Sequence, residues 1–292
     1  MPKLTWVNPA GLARRTGGTL YNARVVDGLR RRGWRVEVLQ ASHGPVPSQG
    51  LTVVDGLVFL DVLVEGTTVA LVHSPLHRER GGDWRERERR ALARADHVAA
   101  TSQLSLDDLG VQGLVFAPGT DPAPTSTGDG VLCVAHLIPR KGHRLLLDAL
   151  DLLQNPPRVR CVGALDADPA HARSLTEDPR VDWLGELQDL EAEYARAGLL
   201  VHCAEFEAWG MVLDEALARG LAVVTTEAGA LERCRAQVRV ISRDPRALAD
   251  ALQDWSHPER RPPMRPTAAL IPTWDEVCDR WSQWLSEVAS RG

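Results

Sequence analysis

Glu207-Ala-Trp-Gly-Met-Val-Leu-Asp-Glu215 sets two carboxylates with seven residues between them at the point where an apolar strand turns into a helix. Leu199 to Cys203 reads as a buried strand, and Trp209, Val212, Leu213, Ala216 and Leu217 recur at helical spacing, which predicts a helix starting near Gly210. Glu207 then lies in the turn. Glu215 falls about one and a half turns into the helix, on the flank between that apolar arc and Met211 with Ala218. A carboxylate there is costly to leave unpartnered, and a hydroxyl-rich ligand would satisfy it. A strand-turn-helix also offers unpaired backbone N–H groups at the helix N-terminus, where diphosphate oxygens are favoured. Spacing alone leaves a plainer reading open, with Glu207 a loop acid and Glu215 on a solvated helix face.

Upstream, Val131-Leu-Cys-Val-Ala-His-Leu-Ile-Pro-Arg-Lys-Gly-His143 reads as a strand, a short loop and the start of a helix carrying Leu145 to Leu153. Its cations, Arg140 and Lys141, suit phosphate oxygens, or simply a solvated helix start. Near the N-terminus, Asn8-Pro-Ala-Gly-Leu-Ala-Arg-Arg-Thr-Gly-Gly18 lies between the first strand and the first helix. The carboxyl end of a strand is where open parallel sheets bind ligands. Gly17-Gly18 is either such a site, lined by Thr19 and Asn22, or a tight turn. No third glycine follows at dinucleotide-binding spacing. His73, in Ala70-Leu-Val-His-Ser-Pro-Leu-His77, ends a buried-looking strand and is either a site residue or a satisfied core histidine; His77 is a plainer loop residue.

The segment Cys203 to Thr226 closely resembles the signature of retaining glycosyltransferases of family 4, which have the GT-B fold. The resemblance spans about residues 17 to 230. It implies an α/β chain of two Rossmann-like domains with parallel sheets facing each other across a cleft, here with a short N-terminal domain. It places Glu207 at the transferred sugar, Glu215 on the ribose hydroxyls, and the backbone from Ala208 through Trp209, Gly210, Met211 and Val212 against sugar and diphosphate. Val131 to His143 resembles the family's phosphate clamp, in which an Arg and a Lys-Gly pair neutralise the leaving diphosphate. Here those places hold His136 and Lys141-Gly142, so the Arg is missing. A neutral His136 donates one hydrogen bond and cannot reproduce a bidentate fork, leaving Arg140 to compensate or phosphate binding to weaken. Gly17-Gly18 resembles the glycine pair at the donor phosphate, and His73 the histidine near acceptor and reacting sugar. Glu88 with Thr101-Ser102 matches a familiar helix-strand-loop pattern with no chemistry attached. Gly229 stands where a glycine pair is frequent, Ala230 replacing the second, and Ala222 occupies a common proline position.

The implied reaction is a metal-independent transfer of a hexose-type sugar from a nucleoside-diphosphate sugar to an acceptor hydroxyl, with retention. The catalytic candidates are Glu207, His73 and Lys141. No cofactor is expected beyond the donor substrate. The acceptor, a glycan, a lipid or a small molecule, is not specified, and neither are base nor sugar. A non-catalytic sugar-nucleotide-binding subunit and a phosphorylase-like enzyme on the same fold are the alternatives. Asp166-Ala-Asp168 has the spelling of a metal motif but lies in the turn after the Val162-Gly163 strand.

Composition agrees with this class. The 292 residues suffice for two domains, and 44% hydrophobic residues can fill two cores. Net charge is −5, with 34 basic residues scattered among 39 acidic ones, which disfavours a nucleic-acid binder. The five cysteines, Cys133, Cys161, Cys203, Cys234 and Cys278, show no paired spacing and suit a reducing compartment. No stretch approaches the roughly 20 apolar residues of a membrane span, and no signal pattern opens the chain, so a cytoplasmic protein is expected. Arg14, Arg15, Arg24, Arg30, Arg31 and Arg32 leave peripheral membrane contact as a lesser expectation. Strands and helices alternate, as in parallel sheets covered on both faces. The turn-rich Pro118 to Gly130 run predicts a boundary, giving an acceptor-side domain over 1–122 and a nucleotide-sugar domain over 123–272. In 273–292 the apolar stripe from Trp274 to Val288 predicts a helix that crosses back to the N-terminal domain or packs on the second domain or a partner.

Overall fold

The computed structural model describes residues 1–11, 14–48, 50–80, 82–261 and 271–291. The chain divides into two units, Met1–Gly119 with Pro272–Gly292, and Thr120–Ile271. Most of the proline-rich Pro258 to Pro272 run lies outside the described residues.

Unit 1 opens with β1 (Lys3–Pro9), α1 (Gly17–Arg31), β2 (Arg35–Ala41), β3 (Gly44–Pro45), β4 (Thr52–Asp55) and α2 (Gly56–Phe59). It continues with β5 (Val62–Leu63), β6 (Thr68–Val72), α3 (Leu76–Arg80), α4 (Trp84–Leu92), β7 (His97–Ala100), α5 (Gln103–Leu109) and β8 (Leu114–Val115). Six strands form a parallel sheet ordered β2-β1-β4-β6-β7-β8, while β3 and β5 pair separately. β4 and β6 are buried along their whole length, as expected of strands covered on both faces. The chain starts at β1, winds out to β2 and then crosses to β4. Strand order therefore reverses between β1 and β4, the place where such sheets bind ligands.

Side-chain caps set two helix starts. α1 begins at Gly17 because Thr16 and Thr19 form a reciprocal capping box, which draws both glycines into the first turn. The segment from Leu51 to Leu60 yields a strand and then a helical turn, since the Asp55 carboxylate accepts the Leu57 N–H at 2.9 Å and starts α2.

Unit 2 runs β9 (Gly130–Val134), α6 (His143–Asp151), β10 (Val159–Val162), α7 (Pro169–Arg173), β11 (Val181–Trp183) and α8 (Glu191–Arg196). It ends with β12 (Ala197–His202), α9 (Met211–Ala218), β13 (Ala222–Thr226), β14 (Arg239–Ile241) and α10 (Pro245–Ser256). Its six strands are parallel and ordered β11-β10-β9-β12-β13-β14. The same logic puts this unit's reversal between β9 and β12. One face packs Leu146, Leu150, Leu248 and Leu252 from α6 and α10; the other packs Tyr194, Leu213 and Leu217 from α8 and α9.

The last helix, α11 (Trp274–Arg291), returns to unit 1 and lies against α1. Close approach is possible because Gly28 has no side chain: a Cβ there would stand 2.1 Å from Cys278 Sγ. Trp281 is wholly buried and donates its indole N–H to the Tyr21 hydroxyl at 2.8 Å, which in turn donates to the Phe116 carbonyl at 2.8 Å. Arg32 pairs with Asp279 at 2.6 Å and Arg31 with Asp275 at 3.8 Å, so part of the basic face of α1 is neutralised inside the unit. No helix among the described residues is long and apolar enough to cross a membrane.

Candidate functional site

At the reversal point of unit 2, the loops that leave β9 and β12 meet. Lys141 ends the first loop and Glu207 stands on the second, and the Lys141 ammonium pairs with Glu207 Oε1. Their side chains are 15% and 16% exposed, so the pair is shielded without being sealed from a ligand. His202 Nε2 lies 3.3 Å from the same oxygen, and its Nδ1 lies 3.0 Å from Thr225 Oγ1 on β13. The Thr225 hydroxyl in turn donates to the Thr226 carbonyl at 3.0 Å. Burial works to raise the Glu207 pKa, but the Lys141 charge and the His202 hydrogen bond overcome it and hold the carboxyl well below its ordinary range. Glu207 is therefore an anion at neutral pH.

Backbone approach explains how the loops close. Gly142 has φ of 75°, and a Cβ there would lie 2.0 Å from the Cys203 carbonyl. Gly229 has φ of 97°, and a Cβ would lie 2.2 Å from the Glu207 carbonyl. Only glycine meets both demands. Arg140 serves the same closure: its carbonyl accepts Glu205 N–H at 2.7 Å and its guanidinium donates to Phe206 O at 3.2 Å. His136 accepts Ala164 N–H at Nδ1, 3.0 Å away, which leaves the proton on Nε2.

Gly210, at φ 83°, precedes α9 without a side-chain cap, so the first amides of the helix, from Met211 and Val212, have no capping side chain. Trp209 is turned to structure: its indole donates to the buried Asp214 at 2.6 Å, and Arg233 both stacks on the ring, 4.0 Å from its centroid, and donates to Asp214 at 2.9 Å. Ala208 is buried beside them. Glu215 accepts the hydroxyl of the buried Tyr194 at 2.6 Å. Burial first, then the Glu215 charge, pushes that phenol well above its ordinary value, so Tyr194 remains a donor. Asp168 caps α7 by accepting His171 N–H at 3.0 Å, a structural use of the Asp166-Ala-Asp168 spelling.

In unit 1 the residues at the β1/β4 reversal form a polar cluster. His73 Nε2 is 2.9 Å from Asn22 Oδ1 and 3.3 Å from Asp55 Oδ2. Asn22 Nδ2 donates to Asp55 at 2.7 Å and to Asn8 at 3.0 Å. Asn22 and Asp55 are buried, and although burial opposes it, His73 and the Leu57 N–H keep the Asp55 carboxyl below its ordinary range. Gly18 packs on the His73 ring, a Cβ there falling 3.2 Å from Cδ2. Gly17 sits one residue earlier in the same first turn, and Thr19 is used by the capping box. The His73 loop is shaped from behind: Thr101 donates to the His73 carbonyl at 2.9 Å, and Glu88 accepts Leu76 N–H at 2.7 Å.

Asp55, Asn8, His202, Asp214 and Arg233 did not stand out in the sequence. Asp55 and His202 carried a signal, as polar residues closing strongly apolar strands; nothing local marked Arg233.

Glu88 is buried, and its Oε1 has no hydrogen-bond partner among the described residues. Burial, against the Leu76 hydrogen bond, lifts its pKa from 4.5 to about 7. The folded protein thus holds this proton more tightly than the unfolded chain, and stability falls as pH rises between those values. Relative to the wild type, Glu88→Gln is expected to gain about 1–2 kcal/mol at pH 8 and almost nothing at pH 4.5. Urea unfolding at both pH values measures this; an equal gap at both would contradict it.

Comparison with known proteins places this geometry. Residues 128–257 match a family described as glycosyl transferases group 1. The phosphatidyl-myo-inositol mannosyltransferase of Mycobacterium tuberculosis is 37% identical over 101 residues, which is 32% of this chain and 27% of that protein. The chain thus spans about a quarter of the length of the curated relatives it matches. Among solved structures, sucrose-phosphate synthase from Thermosynechococcus elongatus covers 100% of both chains with a TM-score of 0.80 at 15% identity. Anabaena HepE in complex with UDP and glucose also covers 100% of both, with a TM-score of 0.74 at 17% identity. Likenesses at these identities show the fold, the α/β architecture of GT-B glycosyltransferases. The family match lies within unit 2, and the shared fold extends along the whole chain.

Proposed function

We propose that this chain moves a hexose-type sugar from a nucleoside-diphosphate sugar to an acceptor hydroxyl in the cytoplasm, with retention of anomeric configuration and without a metal ion. The observation that carries the reading is the shielded Lys141–Glu207–His202 group at the carboxyl-end reversal of unit 2, beside the uncapped start of α9. As the bond from the anomeric carbon to phosphate breaks, negative charge grows on the diphosphate. Lys141 and the α9 amides stabilise it, with His136 Nε2–H and Arg140 at the edge of the same loop. Glu207, kept anionic by its neighbours, orients the sugar and answers the positive charge developing at the anomeric carbon. Glu215 accepts ribose hydroxyls while Tyr194 holds its other oxygen. On the acceptor side, Asp55 and Asn22 fix the tautomer of His73, which faces the incoming hydroxyl; Gly17 and Gly18 allow backbone to approach a phosphate.

HepE, solved with UDP and glucose, supports a nucleotide-sugar donor by analogy of fold. Incubating the protein with a panel of nucleoside-diphosphate sugars and candidate acceptors, in the presence of a chelator, tests the reading. Proton NMR of early product should show the donor's anomeric configuration at an undiminished rate. An inverted product, or activity only after metal is restored, would overturn the corresponding part. The replacement of the clamp arginine by His136, whose Nδ1 is already committed to Ala164, favours a binding-only subunit as the second reading. Tight donor binding with no transfer to any acceptor and no donor hydrolysis would select it.

Glu215→Gln is expected to weaken nucleoside-diphosphate binding by about 1.5–3 kcal/mol, because the amide nitrogen cannot accept a ribose hydroxyl. Calorimetry measures it, and unchanged affinity rejects the role.

A further inference from the structure

Behind the Lys141 loop, on the face of the unit 2 sheet covered by α6 and α10, three ligating side chains converge. Cys133 and Cys161 stand side by side in register on β9 and β10, and His143 is the first residue of α6. Both sulfurs and a ring nitrogen lie within 4.8 Å of one another. The residues are 3%, 1% and 1% exposed. Neither nitrogen of His143 has a hydrogen-bond partner among the described residues. Leaving such a group unsatisfied in an apolar core is unfavourable, so the imidazole is poised for a ligand.

We propose that Cys133, Cys161 and His143 bind a thiophilic divalent cation, with Zn(II) as the occupant. Zinc holds sulfur at about 2.3 Å and imidazole nitrogen at about 2.0–2.1 Å in a tetrahedron, so its ligand atoms stand about 3.5–3.8 Å apart. Rotamer adjustments of up to about 1 Å draw the three ligand atoms onto one ion. Two thiolates and a neutral imidazole carry two negative charges, which a divalent ion cancels; a monovalent ion would leave net charge in a dry core. Sulfur and imidazole select zinc over calcium or magnesium.

The consequence reaches the loop in front. His143 follows Lys141-Gly142 directly, and Gly142 presses on the Cys203 backbone. An ion fastened to His143 would brace the start of α6 behind the loop, while Lys141 is held separately by its pair with Glu207.

Cobalt(II) added to chelator-stripped, reduced protein tests the site without any assay of transfer. The expected result is uptake of one equivalent, with near-ultraviolet sulfur-to-cobalt charge transfer and the visible bands of a tetrahedral ion, all displaced by Zn(II). Cys161→Ser and His143→Leu should each weaken uptake by at least about tenfold, since even outer-shell partners of metal ligands contribute that much. Cys278→Ser, in unit 1, should leave it intact. Absence of the charge-transfer band in the wild-type protein would overturn the site whether or not the variants fold, and so would a band that survives Cys161→Ser.

Discussion

Glu207→Ala is expected to lower sugar transfer by about 10²–10³-fold, the usual cost of removing one preorganised electrostatic group from an active site. Nucleoside-diphosphate affinity should move little, or tighten. The asymmetry comes from the ion pair: in the free protein Lys141 is spent on Glu207, and deleting the carboxylate releases the ammonium for phosphate. A role confined to folding would instead weaken both together. The alanine variant also leaves a shielded cation without its partner, a change that destabilises by about 3–5 kcal/mol in buried pairs and by less here, where some exposure remains. Glu207→Gln keeps an acceptor for His202 and an oxygen near Lys141, and separates the fold from the chemistry. Steady-state kinetics with calorimetry on both variants decides the matter. Turnover within a few-fold of wild type would remove Glu207 from the sugar.

Trp281→Ala should destabilise unit 1 by about 3–5 kcal/mol, the range for deleting a large aromatic side chain from a core. Trp281 is stacked on Phe116 at 4.1 Å and meets Trp6 and Trp284 edge-on at 5.8 and 5.5 Å. Its loss would open a cavity and leave the buried Tyr21 hydroxyl short of a donor. Tyr21 in turn packs edge-on against His73 at 5.2 Å, so damage on α11 should reach the His73 cluster and, under its proposed role, reduce turnover. Urea unfolding followed by a probe in unit 1 provides the measurement. A shift worth less than about 1 kcal/mol would mean that α11 is not integral to that core.

Much of unit 2 was legible in the sequence because long apolar periodicities specify their own elements. The run ending at Cys203 became β12, the Trp209 to Leu217 spacing became α9, and Glu207 stands in the turn between them. The two-residue strands β3, β5 and β8 carry no period and could not be seen. Chemistry followed a different rule. Lys141 and Glu207 are far apart in sequence and meet only because strand order reverses between β9 and β12; the family resemblance put them at the diphosphate and the sugar of one donor, and neither it nor periodicity gave their ion pair. Asp55 was hidden because nothing local shows that one carboxylate both starts α2 and steadies Asn22, which is far away in sequence. The Cys133–His143–Cys161 cluster was invisible for the same tertiary reason: its ligands come from three elements at no recognisable spacing.

A diphosphate is expected at the carboxyl-end reversal of unit 2, and a crystal structure of the protein with a nucleoside diphosphate tests this. Diphosphate oxygens should lie within hydrogen-bond reach of Lys141 Nζ and the first amides of α9, with ribose hydroxyls on the Glu215 carboxylate. Density for the nucleotide elsewhere, with Lys141 still paired to Glu207, would contradict it.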